Sequence, residues 1–150
     1  MAYHVEILRT DGGVHVPIDH AQASAALLEL SGWRSLAGEN TFAREGADGT
    51  QELLHFENGG LWASSPSEAM LVDMLSAART LQARVRGDEL ETYESLHQWS
   101  VHADDRAQKA AIDAQSRALY RRNQRMAWTI RIGLIAGPAL LALAYRWLWP

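Results

Sequence analysis

An apolar segment near the C-terminal end is the feature that most constrains how this chain can fold. Residues 126–149 form a stretch of 24 residues in which Arg131 and Arg146 are the only charges. As a helix it would be about 36 Å long, against roughly 30 Å for the hydrocarbon core of a bilayer. Arg side chains near the ends of a span can reach the headgroups, so we expect one transmembrane helix. The alternative is a buried helix of a soluble fold, because the uncharged part, residues 132–145, is only 14 residues long.

Aromatic and basic residues flank this segment as they do at membrane interfaces. Trp and Tyr concentrate at both interfaces of a bilayer, and Lys and Arg concentrate on the cytoplasmic side. Most of the Arg residues near the segment precede its apolar part, so a single pass through the inner membrane is expected, with the N-terminal part in the cytoplasm. No signal peptide is expected, because the first residues lack an apolar run behind a basic start. The predicted interface residues are Arg121, Arg122, Arg125, Trp128, Arg131, Tyr145, Arg146, Trp147 and Trp149.

The charges are distributed unevenly along the chain. Residues 1–115 carry 8 Lys and Arg against 18 Asp and Glu, a balance of −10, whereas residues 116–150 carry six Arg and no acid. The acidic part would repel phosphate, so nucleic acid is not expected as a partner. The Arg cluster is expected to face the anionic inner leaflet of the bilayer. The chain has no Cys, which excludes disulfides and thiolate chemistry.

The first 94 residues alternate short strand and helix signals. Val5 and Ile7 recur with the period of a strand that has one buried face, and Gly12 and Gly13 supply the positive φ of a hairpin turn. Asp19 is predicted to cap a helix that runs to about Leu30. A second helix is predicted to start at a capping box with Ser65 as its cap and Glu68 as the reciprocal partner. The other predicted strands are residues 14–18, 41–44, 51–57, 61–63 and 83–86, the last at the edge of the sheet.

Together these signals predict an α+β fold with three parts. Residues 1–94 are expected to form a cytoplasmic domain, with a small antiparallel sheet of five or six strands and two helices. Residues 95–125 are predicted to form a juxtamembrane helix that is Ala-faced and ends in Arg, and residues 126–149 form the transmembrane anchor. Because Ala permits close approach of a second helix, residues 103–118 are a candidate homodimer contact, with a solvated stalk as the alternative.

One stretch of the front domain resembles a known family. Ala83-Arg84-Val85-Arg86-Gly87-Asp88-Glu89, continuing to Tyr93, directly follows the second predicted helix. It resembles the end of a family of small uncharacterised bacterial α+β proteins, whose members close on a similar Gly-Asp-acid-x-Glu-x-Tyr run. The resemblance covers the front domain only, and it implies a fold without implying an activity.

No motif for catalysis, a cofactor or a metal is found in the sequence. His97 and His102 are five residues apart, a poor spacing for one helical face, and no His-Glu-x-x-His motif is present. The Gly-Gly turns lack the Lys and Ser or Thr of a phosphate loop, and no Gly-x-Ser-x-Gly elbow occurs. His4 and His15 are expected to meet across the hairpin as a surface pair. We therefore expect no enzyme and no cofactor; a membrane-bound enzyme is the alternative, and its site would draw on His4, His15, His20 and His55.

The expected function is that of a tail-anchored membrane protein which presents an acidic protein-binding module to the cytoplasm. Trp33 and Trp62 are candidate partner-binding residues because Trp is enriched at binding hot spots, although each could instead be a core residue. The acidic residues Asp88 and Glu91 are further candidates. The expected partners are the bilayer and a basic protein. In one alternative the protein is an immunity or antitoxin protein that neutralises a basic toxin.

Overall fold

The computed structural model describes residues 3–36, 40–124, 126 and 128. Residues Met1–Ala107 form one compact unit, and the chain from Gln108 onward belongs to a second. The elements follow in the order β1 (His4–Asp11), β2 (Val14–Val16), α1 (His20–Leu28), β3 (Arg34–Ser35), β4 (Thr41–Glu45), β5 (Gln51–Glu57), β6 (Gly60–Ser64), α2 (Glu68–Thr80), β7 (Arg84–Gly87), β8 (Glu91–Ser95) and β9 (Gln98–Val101). A 3₁₀ turn at Ala103–Asp105 leads into helix α3, residues 106–124.

The nine strands form one antiparallel sheet in the order β3-β4-β5-β6-β1-β7-β8-β9, with β2 paired to the end of β1. The predicted α+β class with an antiparallel sheet is confirmed, although the sheet has nine strands and not five or six. Helices α1 and α2 pack together on one face, which we call the helix face. The opposite side is called the outer face.

Alternation along the strands separates these two faces. Val5 and Ile7 of β1 lie opposite Ala63 and Leu61 of β6, and all four side chains are buried under the helices. Helix α2 buries Met70, Met74, Leu75 and Ala78 at helical spacing, and Leu81, which is also buried, follows its last residue. One core cluster therefore joins the central strands to both helices.

The predicted hairpin and the first helix cap are confirmed. Thr10 pairs with His15 across the turn formed by Gly12 and Gly13, both of which have positive φ. The Asp19 carboxylate accepts a hydrogen bond from the Ala21 N–H at 2.8 Å and so caps α1. These features depend on neighbouring residues alone, which is why local sequence patterns predict them.

The predicted capping box at the start of α2 is wrong. The helix begins two residues later, at Glu68, and the Ser67 hydroxyl accepts the Met70 N–H at 3.1 Å. Ser65 instead adopts φ +49° and donates its N–H to the carbonyl of Tyr3. This hydrogen bond holds Ser65 just after β6, beside the residue that precedes β1, and Ser67 takes the capping position.

The predicted end of the front domain is also corrected. Strand β7 does not lie at the sheet edge, because it pairs with both β1 and β8. The predicted boundary at residue 94 falls within β8. The segment from residue 95, which was predicted to start the juxtamembrane helix, contains β9, and the helix begins at residue 106. Residues 96 and 97 join β8 to β9 without Gly, Pro, Asn or Asp, so this hairpin lacks the usual turn signal.

The predicted membrane anchor lies outside the described residues, except for Met126 and Trp128, which are helical and exposed. Among the residues that the structure describes, no helix has the length and apolar character needed to cross a bilayer. Helix α3 is exposed over nearly its whole length, including Ile112 and Leu119.

Candidate functional site

Three aromatic side chains lie side by side on the outer face of the sheet. Register places His55 of β5 opposite Trp62 of β6, and Trp62 opposite Glu6 of β1, next to His4. The Trp62 ring centroid lies 4.6 Å from that of His55 and 5.8 Å from that of His4. We call His4, Trp62 and His55 the aromatic row. Solvated faces of antiparallel sheets usually carry polar side chains, so a row of rings in contact marks this face as a candidate binding surface.

Polar contacts hold the two ends of the aromatic row. The His55 Nδ1 lies 3.2 Å from the Thr41 hydroxyl on β4. The backbone N–H of His4 donates to the Asp88 carboxylate at 2.8 Å, and the His4 Nδ1 lies 3.6 Å from the same oxygen. Half of the His4 side chain is exposed, and Trp62 and His55 are partly exposed. Two candidates from the sequence, Trp62 and Asp88, are thus brought to one surface.

The sheet is split beside the aromatic row. Strand β5 pairs with β6 only through His55–Glu57, whereas its first residues, from Gln51, pair with β4 alone. At the same level Ala63 and Ser64 of β6 pair with β1. We call the gap between Gln51–Leu54 and Ala63–Ser64 the split.

A groove of about 660 Å³ opens at the split. One wall is the hairpin of β4 and β5, and the other is the end of β6 with the first turn of α2. Leu53 and His55 line the groove from the first wall, and Ser64, Glu68 and Met70 line it from the second. The groove and the aromatic row share His55 and form one continuous site.

Asp48 gives this groove a fixed negative charge. It lines the groove in the turn between β4 and β5. Its carboxylate accepts a hydrogen bond from the Thr50 hydroxyl at 2.6 Å and another from the Thr50 N–H at 3.0 Å. These hydrogen bonds, the hydroxyl first, lower the pKa of Asp48 below its ordinary value. The carboxylate therefore stays ionised at neutral pH, and Glu68 adds a second exposed acid on the opposite wall.

Trp33 does not lie on the candidate binding surface. Its side chain is buried, and its indole Nε1 donates to the Asp73 carboxylate at 2.8 Å. The Arg44 guanidinium lies 5.7 Å from the Trp33 ring centroid and also binds Asp73 and Glu52. The alternative in which Trp33 is a core residue is the one observed.

Glu91 likewise belongs to an internal cluster. Its carboxylate accepts the hydroxyl of Tyr3, which lies 2.7 Å from the hydroxyl of Tyr93. Burial, together with the charge and hydrogen bond of Glu91, raises the pKa of Tyr93. Glu91 and Asp88 therefore belong to different clusters, since Asp88 contacts His4 and Glu91 contacts two tyrosines.

Asp104 and Asp105 attach the chain before α3 to the outer face. Asp105 is buried and binds the guanidinium groups of Arg84 and Arg86 on β7. Asp104 accepts the hydroxyl of Thr10 at 2.5 Å. Arg86 also binds Glu6 of β1, so this ion-pair network runs from β1 to the start of α3.

Of the four histidines predicted for an enzymatic site, His4 and His55 flank Trp62, whereas His15 and His20 lie elsewhere. His15 pairs with Thr10, whereas His4 pairs with Ser64, so the expected contact of His4 with His15 is wrong. His20 packs against Phe56 with its ring centroid 5.0 Å away. Within the residues that the structure describes, no three His, Asp or Glu side chains form a group suited to a metal ion.

The predicted membrane-interface residues are described only in part. Arg121 and Arg122 are exposed on α3, and Trp128 is exposed in helical conformation. Arg125, Arg131, Tyr145, Arg146, Trp147 and Trp149 lie outside the described residues.

Sequence reasoning missed the aromatic row as a unit. Period-2 alternation does predict the strand positions of His4 and His55, but it does not show which strands are neighbours. The row forms because β6 lies between β1 and β5, and β1 precedes β6 by about fifty residues in the chain. The split was missed for the same reason.

Comparison of the chain with protein-family models, with curated proteins and with solved structures finds no match. The resemblance of residues 83–93 to small bacterial α+β proteins therefore stays a prediction.

Proposed function

We propose that this chain is a membrane-anchored protein-binding module, and that its acidic front domain binds a basic protein through the aromatic row. The observation that carries the proposal is Trp62, flanked by two imidazoles on the sheet face opposite α1 and α2. Trp is enriched at binding hot spots because it buries a large area with few rotatable bonds. The rings of His4 and His55 hold Trp62 in place before a partner arrives, which reduces the entropy lost on binding.

Charge supports a basic partner. Residues 1–107 carry 7 Lys and Arg against 17 Asp and Glu, a balance of −10. The two Arg side chains of β7 on the outer face are already paired, Arg86 with Glu6 and Arg84 with Asp105. Asp88 lies beside His4 with nearly half of its side chain exposed. Such a field favours encounter with a positively charged partner and disfavours acidic ones.

An immunity or antitoxin role is a special case of this proposal, favoured by the same charge balance. It differs in the identity of the partner, which would be a basic toxin. Deleting the gene for this protein would then be harmful only while the toxin is produced. Deletion without any effect on growth, with the basic partner still present, would contradict the immunity role and leave the binding role intact.

Removing the apolar segment is expected to release the protein from membranes. A chain that ends after Gln124 lacks residues 126–149, and with them the hydrocarbon-spanning length. After an alkaline wash, the full chain should sediment with membranes and the shortened chain should stay in the supernatant. Equal sedimentation of the two forms would contradict the anchor.

Trp62→Ala is expected to remove partner binding without unfolding the domain. Loss of a central hot-spot Trp costs about 2 kcal/mol or more, which is at least a twentyfold loss of affinity. The test is affinity capture of the tagged full chain from native membranes in mild detergent, with mass spectrometry. The matched control is Trp99→Ala, since Trp99 is 63% exposed on β9, away from the aromatic row. A basic partner that is retained equally by both variants would contradict this assignment.

A further inference from the structure

We propose that the split between β5 and β6 binds an extended, Lys- or Arg-bearing segment of the partner, which adds to β5 as an extra strand. This inference rests on the proposed function and specifies how the partner is recognised. Three observations carry it: the direction of the β5 backbone groups, the direction of the β6 backbone groups, and the negative charge of the groove.

The hydrogen bonds of β5 show which of its residues face the split. The Phe56 N–H donates to the carbonyl of Asn40, and the Gly46 N–H donates to the carbonyl of Thr50. Residues 50 and 56 therefore direct their backbone groups toward β4. Since backbone groups alternate along an antiparallel strand, Gln51 and Leu53 direct theirs the other way, toward β6.

The same argument applies to β6. The Ser65 N–H donates to the carbonyl of Tyr3, so Ser65 faces β1 and Ser64 faces β5. Leu53 and Ser64 would form the next pair after His55 and Trp62, but the ladder between these strands ends at His55. Within the described part of the chain, the backbones of Leu53 and Ser64 thus face each other across the groove without pairing.

Unpaired strand edges bind extended peptides through main-chain hydrogen bonds, while alternate side chains provide specificity. Residues Gln51–Leu54 span about 13 Å at roughly 3.3 Å per residue, which suits a segment of about four residues. One set of its side chains would lie on the outer face against Leu53 and Trp62. Lys or Arg in this segment would meet the ionised Asp48 on one wall and Glu68 on the other.

The test uses the full chain in mild detergent and a randomised library of eight-residue peptides with Lys or Arg at alternate positions. Bound peptides should slow amide hydrogen exchange at Leu53 and Ser64, measured by NMR. N-methylation of the peptide amides along one edge should weaken binding about tenfold, as expected for one or two backbone hydrogen bonds. Glu in place of Lys or Arg should weaken binding by a similar factor.

Leu53→Pro supplies the matching change in the protein. It removes the N–H that faces the split and leaves the hydrogen bonds of β5 to β4 intact, so the domain should fold and bind about tenfold more weakly. Binding that needs Trp62 but tolerates Leu53→Pro and N-methylation would overturn strand addition while leaving the proposed function standing. Failure of every library member to bind would overturn the inference, although capture of a basic protein would still support the function. Protection of Leu53 by a second copy of this chain would overturn the choice of occupant.

Discussion

Asp105→Asn is expected to lower the free energy of unfolding by about 3 kcal/mol, because removal of one partner from a buried ion pair leaves the other charge uncompensated. Asp105 is 4% exposed and binds Arg84 and Arg86. Arg84 binds Asp105 through Nη1, and its Nε and Nη2 atoms are buried without a hydrogen-bond partner among the described residues. The measurement is chemical denaturation of the full chain in mild detergent, followed by tryptophan fluorescence.

The same change should alter the pH dependence of stability. Burial alone would raise the pKa of Asp105, but the hydrogen bond and charge of Arg84, with the charge of Arg86, outweigh burial and lower it. A depressed pKa in the folded state gives stabilisation that is present above the unfolded value, about 3.9, and is lost as pH falls through the folded value. The difference between the wild type and Asp105→Asn should therefore be constant near neutral pH and shrink in acid below about pH 4.

A matched control separates this effect from the loss of any carboxylate. Asp113 pairs with Lys109 at 3.6 Å on α3, and its side chain is 49% exposed. Asp113→Asn should therefore cost no more than about 0.5 kcal/mol. Equal stability of the two variants would contradict the buried role of Asp105.

Gly59→Ala is expected to destabilise the domain by about 3 kcal/mol. Gly59 has φ +74°, and a Cβ there would lie 2.6 Å from the Cβ and 2.7 Å from the Cα of Pro17. The approach is close because the Ile18 N–H donates to the Gly59 carbonyl at 2.8 Å. The unfavourable φ accounts for about 1 kcal/mol, and displacement of the Pro17 backbone for about 2 kcal/mol.

Gly49→Ala measures the cost of the unfavourable φ alone. Gly49 has nearly the same φ, +78°, but a Cβ there meets no atom within 4 Å. This variant should lose only about 1 kcal/mol in the same denaturation experiment. If both variants lost the same amount, the contact with Pro17 would not be the reason that position 59 needs glycine.

The features that could be predicted from the sequence are local ones. Alternation in residues 3–8, the glycines of the first hairpin and the Asp19 cap each depend on residues within one turn or strand, and each matches the structure. The start of α2 was misplaced because two serines compete for the cap. Only the long-range hydrogen bond from Ser65 to Tyr3 decides that Ser67 takes it.

The features that could not be predicted depend on pairing between distant residues. Asp104 and Asp105 precede a helix, and this position suggests favourable interaction with the helix dipole. In the structure Asp105 instead binds Arg84, 21 residues earlier. The aromatic row requires knowledge of strand order, which alternation does not supply. Trp62 was therefore a candidate for its residue type, and its position between His4 and His55 came only from the sheet.

The most direct test of the proposed binding face is photo-cross-linking in cells that produce the full chain. A photoreactive amino acid would replace Leu53, which is 36% exposed beside the aromatic row, or Leu28, which is 50% exposed on α1 of the helix face. We expect the probe at position 53 to form a covalent adduct with a basic protein, and we expect Trp62→Ala to abolish that adduct. Adducts at position 28 that match or exceed those at position 53, or adducts at 53 that persist in Trp62→Ala, would contradict binding through the outer face.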